Sequence, residues 1–99
     1  MTTPPPIPTH PGAVLREDVL PALRMSPPKA AEALGISRQM FNRILNEKAP
    51  ITPAMALRIG AWLGNGPDLW ITMQVKHDLA LAARQLTEEL PKIPRAKAA

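Results

Sequence analysis

The chain has 99 residues, which suits one domain with a small core, and a formal charge of +4, which suits an anionic partner. Cysteine is absent, so disulfide frameworks and thiolate-held zinc or iron are excluded. No stretch approaches the ~20 apolar residues of a membrane span, and "MTTPPPIPTH" does not have the pattern of a signal peptide, so a cytoplasmic protein with no membrane partner is expected.

Alanine and leucine dominate the apolar residues, while Phe41, Trp62 and Trp70 are the only residues of the Phe, Trp and Tyr types. This balance favours helix over strand. The chain begins with a proline-rich segment, residues 1–9, which reads as an extended, disordered arm because each proline fixes φ and removes a donor. A solvated arm is the plain reading. An SH3-type ligand around Pro5 and Pro8, or an arm that binds a toxin or DNA, is the rival.

The first helical segment opens at "THPGAVLREDV". Thr9 or His10 can cap it, Pro11 fits its first turn, and Val14, Leu15, Val19 and Leu20 form an apolar stripe. Pro21 is expected to end or kink it. The second, "SPPKAAEALG", has Ser26 as N-cap, Pro27 and Pro28 in the first turn, and Gly35 as its stop. The third is "SRQMFNRILN", capped by Ser37. The fourth, "TPAMALRIGAWLG", starts at Thr52 with Pro53 behind it and stops at Gly64; Met55, Ile59, Trp62 and Leu63 make its inner stripe. The fifth runs from about Asp68 to about Glu89, before Pro91. Residues 91–99 read as a flexible basic tail, and residues 10–90 as one all-α domain.

Helix, glycine corner, helix is the helix-turn-helix arrangement. Ala31, four residues before Gly35, lets the two helices cross closely, Ile36 fills the corner, and Phe41, Ile44 and Leu45 point to the core. At 100° per residue, Arg38, Gln39, Asn42, Arg43 and Asn46 fall across the opposite side, with no acid before Glu47. Guanidinium and carboxamide groups pair bidentately with guanine and adenine edges, and the amides at the start of a helix suit a phosphate oxygen. Arg38, Gln39 and Asn42 are therefore the candidate base readers, with Ser37, Arg43 and Lys48 on the backbone. An ordinary solvated polar face is the plain alternative, but such faces usually mix signs.

"HPGAVLRED", "AAEALGISRQMFNRILN", "ITPAMALRIGAWLG" and "PDLWITMQVKHDL" together resemble the HigA-type antitoxins of bacterial toxin–antitoxin modules, within the Xre/Cro helix-turn-helix family. The resemblance covers roughly residues 10 to 81. It implies a five-helix, lambda-repressor-like domain that dimerises on its C-terminal helix. It also implies a repressor that binds an inverted repeat in its own promoter and a HigB-type partner toxin, a ribosome-dependent mRNA endonuclease. A stand-alone Xre-type repressor without a toxin is the alternative. In such proteins the second helix often begins Ser-Gln-Thr, with the glutamine on a phosphate. Pro27 and Pro28 stand there in this chain, and Lys29 is left to supply charge. The family's usual glutamate after "HPG" is Ala13.

The last helix carries two apolar stripes, one of Leu69, Trp70, Met73, Ala80 and Leu81, the other of Ile71, Val75, Leu79, Ala82 and Leu86. A helix at a monomer's edge needs one such face. The second stripe therefore predicts a two-fold dimer through Ile71, Val75, Leu79 and Leu86. Catalytic and metal sites are not expected, and neither is a cofactor. His10 and His77 lack ligand spacing, and the acidic pairs Glu17–Asp18 and Glu88–Glu89 suit solvated helix ends better than acid–base work. Trp62 and Trp70 read as core anchors between the last two helices.

Overall fold

The computed structural model describes residues 5–97. Five helices make up the described residues, with no strand. Helix α1 spans residues 11–23 and is α-helical over Pro11–Val14 and Leu20–Leu23, with a π-helical stretch over Leu15–Val19 between them. Helices α2 (Pro27–Leu34), α3 (Arg38–Leu45), α4 (Pro53–Leu63) and α5 (Asp68–Gln85) follow, and a single 3₁₀ turn occupies Leu90–Lys92.

The caps explain the starts. The Ser26, Ser37 and Thr52 hydroxyls accept from the amides of Lys29, Met40 and Met55 respectively, each three residues on. His10, not Thr9, caps α1: its Nδ1 accepts from the Gly12 amide at 2.8 Å. Gly35 and Gly64 close α2 and α4 with φ of 71° and 73°, a conformation that would strain any residue with a Cβ.

Pro21 does not end α1, which runs on to Leu23 and stops at Arg24 in the left-handed region. Proline at this point removes a bond to the carbonyl four residues back and crowds that carbonyl. The π stretch just before it, in which the Leu20 amide reaches Leu15 O, widens the turn and lets the helix continue.

The core is one cluster in which Leu15, Phe41, Ile44, Ile51, Ile59 and Trp70 are fully enclosed, with Ala30, Ala31 and Leu34 from α2. Burial of this apolar surface is the main favourable term holding the helices together. Two glycines set the closest approaches. A Cβ on Gly12 would overlap the Ile44 carbonyl oxygen of α3, and one on Gly60 would overlap the backbone of Gly66.

The last helix departs from its predicted stripes. It ends at Gln85, not near Glu89. Trp70 and Gln74 are its buried residues, Met73 and Ile71 pack on the core's edge, and Leu69 and Leu81 are exposed. Gln74 is accommodated inside because both ends of its amide are bonded: Oε1 accepts from the Ile51 amide at 2.8 Å and Nε2 donates to Asp78 at 3.0 Å. A polar residue thus holds a position that the apolar pattern skips. Of the predicted interface residues, Val75, Leu79 and Leu86 are 55%, 67% and 43% exposed, whereas Ile71 is half-buried against the core.

Residues 1–4 of the proposed N-terminal arm, and residues 98–99 of the tail, lie outside the described residues. The rest of the arm lies along α5. Arg84 donates to the Pro5 carbonyl at 2.6 Å, and His77 Nδ1 lies 2.7 Å from the Pro8 carbonyl.

Candidate nucleic-acid interface

The corner between α2 and α3 forms as its residue types require. The Gly35 amide donates to Glu32 O and the Ile36 amide to Ala31 O, satisfying carbonyls that the end of α2 leaves open. Ala31 is fully buried where the helices cross, and Ile36 packs on the core. The turn leaves Ser37 to cap α3 and Phe41, Ile44 and Leu45 to anchor it.

That anchoring fixes the outer face. Ser37, Arg38, Gln39, Asn42 and Arg43 are all exposed, and none of the ion pairs among the described residues involves them. The five predicted residues are thus all open to solvent, Ser37 at the N-cap and the other four along the helix. Arg43 also donates to the Lys48 carbonyl at 3.4 Å, which ties it to the turn after α3. Lys48 stands in that turn and not on the helix, exposed beside Glu47, whose φ of 60° reverses the chain. Met40 lies among the polar residues and is 40% exposed.

Sequence patterns also miss the contacts that hold α3 from a distance. Arg16 of α1 donates to the Leu45 carbonyl at 2.6 Å, and it pairs with Glu17 at 3.2 Å and Glu47 at 3.5 Å. The hydrogen bond that Arg16 donates to Glu17, helped by the charge of both carboxylates, pushes the Arg16 pKa up. Arg58 of α4 donates to the Leu34 carbonyl at 2.8 Å. Long-range bonds from flexible cationic side chains have no local signal.

The histidines, without spacing in sequence, meet in space. His10 and His77 lie edge to face with ring centroids 5.0 Å apart. Burial, followed by the charge of His77, lowers the His10 pKa; Glu47 and Asp78 oppose this. Among the described residues no group of three or more acidic, histidine or cysteine side chains is placed to hold a metal ion. No helix of the described residues is long and apolar enough to cross a membrane.

No protein-family model matches the chain. It is 37% identical over 73 residues to virulence-associated protein I of Dichelobacter nodosus, spanning 74% of this chain and 68% of that one. The antitoxin GraA in complex with its operator superposes with a TM-score of 0.85 at 30% identity, covering 100% of this chain and 99% of GraA. For the Pseudomonas aeruginosa antitoxin HigA with the higBA promoter, the TM-score is 0.84 at 28% identity, covering 92% and 99%.

Proposed function

Since this chain belongs to the helix-turn-helix antitoxin family of HigA and GraA, we propose that it represses its own operon as a two-fold dimer and neutralises a HigB-type mRNA endonuclease. One observation carries the DNA-reading part. The solvent face of α3 presents Ser37, Arg38, Gln39, Asn42 and Arg43 with no acidic residue on that helix.

On this reading α3 lies in the major groove. Arg38, Gln39 and Asn42 face base edges, while Ser37, Arg43 and Lys48 hold phosphates and fix the register. The exposed ridge of Val75 and Leu79 on α5, continued by Leu86 just past its end, meets its mate, with Ile71 at the inner margin. Pro27 and Pro28 remove one phosphate contact common at the start of α2, and the exposed ammonium of Lys29 stands in for it. The N-terminal arm and the basic tail are peripheral to the DNA-reading domain.

A gel shift on the gene's own promoter, across a salt series and against random duplex, tests the repressor role. Preferential, salt-sensitive binding is expected, because neutralised phosphates release counterions. Co-expression with the neighbouring reading frame tests the antitoxin role. Rescue of a growth arrest and co-purification are expected, and a neighbour that is harmless alone would leave a stand-alone repressor.

A further inference from the structure

Two basic residues outside α3 bond to backbone carbonyls of the helix-turn-helix unit. Arg58 reaches from α4 to the Leu34 carbonyl at 2.8 Å, at the last residue before the Gly35 corner. Arg16 reaches from α1 to the Leu45 carbonyl at 2.6 Å, at the last residue of α3. Both carbonyls belong to the final turn of a helix, where they have no partner within the helix and where positive charge complements the helix dipole. The partners are 24 and 29 residues apart in sequence, so each bond fixes one helix against another.

We propose that Arg16 and Arg58 are positioning residues that aim α3 by holding the carbonyls at the corner before it and at its end, and that neither contacts phosphate. This rests on the DNA-reading role given above. Arg16 has two carboxylates, Glu17 and Glu47, within 3.5 Å, so its charge is already balanced and a phosphate beside it would meet two acids. Arg58 is pressed against the bend itself: a Cβ on Gly35 would stand 3.0 Å from its Nη1. The Gly12 approach to Ile44 fixes how near α1 and α3 come, and the two arginines fix how α3 is tilted about that point. Arg38 and Gln39 lie in the first turn after the corner that Arg58 holds, and a bidentate pair with a base edge tolerates little displacement.

The test is a salt series of binding to promoter and random duplex, using the full chain and its Arg58→Met, Arg58→Lys and Arg16→Met variants. A phosphate contact and a positioning contact differ in what they change. Loss of a phosphate contact flattens the slope of log K against log salt by about 0.9 and weakens both duplexes alike. Loss of positioning keeps the slope and lowers the promoter-to-random ratio, by about tenfold for Arg58→Met and Arg16→Met, as for one impaired base contact. Arg58→Lys keeps the charge without the planar fork and is expected to lower the ratio in part at the wild-type slope. A flattened slope, or a ratio unchanged from wild type, overturns the proposal. Should Arg58→Met lose helicity by circular dichroism, Arg58→Lys decides on the same two readouts. A wild-type chain that does not prefer the promoter would instead sink the DNA-reading role, and it is told apart because no variant is involved.

Discussion

Gly12→Ala would drive a methyl group into the Ile44 carbonyl oxygen, so α1 and α3 would have to separate. Overpacking of this kind costs about 1–3 kcal/mol, and a thermal melt should show a fall of about 4 °C or more. The same turn contains a pH-sensitive cap. Nδ1 of His10 accepts from the Gly12 amide, and an imidazolium has no lone pair with which to do so. The folded-state pKa of His10 is lowered from the ordinary 6.5 by burial and by His77. The unfolded chain therefore binds the proton first. Stability is fully present above about pH 6.5, falls as pH drops below it, and levels off under the lowered folded value. His10→Asn, which caps without titrating, should remove this part of the slope in melts run from pH 5 to 8. On the outer face, Gln39→Ala should cost about 1–3 kcal/mol at one base position and little on random DNA. Equal losses on both duplexes would move Gln39 to the backbone class.

At the scale of elements, much was legible because its signals are local. Ser26, Ser37 and Thr52 are caps, Gly35 and Gly64 are stops, and both roles depend on a residue's own chemistry and its nearest amides. The face of α3 was legible for the same reason: once Phe41, Ile44 and Leu45 are inside, the helical period fixes the rest. Of the two outcomes expected at Pro21, an end or a kink, the end does not occur, because a π turn relieves the proline, which no proline rule contains. The stripes of α5 were misdivided because Gln74 faces inward to meet Ile51, a partner 23 residues away. The guanidinium bonds to Leu34 and Leu45 were invisible for that reason too. The ridge of α5 gives a prediction at this scale. Leu79, 67% exposed, sits at its middle, so Leu79→Asp should convert a dimer to a monomer at micromolar concentration, read by light scattering, while helicity is retained. A variant still dimeric would place the interface elsewhere.

For the molecule as a whole, the proposed dimer would set the shape of the DNA site. Two copies of α3 related by a two-fold axis suit half-sites about 34 Å apart, so footprinting should show two protected major-groove patches about one helical turn apart on one face of the duplex. The N-terminal strap adds a constraint of another kind. Arg84 and His77 hold the carbonyls of Pro5 and Pro8. Three steps of an extended proline chain cover about 9 Å, and the two helical turns from His77 to Arg84 cover about 10.5 Å. The strap and α5 are therefore commensurate, like a ruler laid along a scale. The match constrains its length: one residue added between Pro5 and Pro8 would carry the Pro5 carbonyl about 3 Å past Arg84. Drift in this segment is expected to spare its spacing.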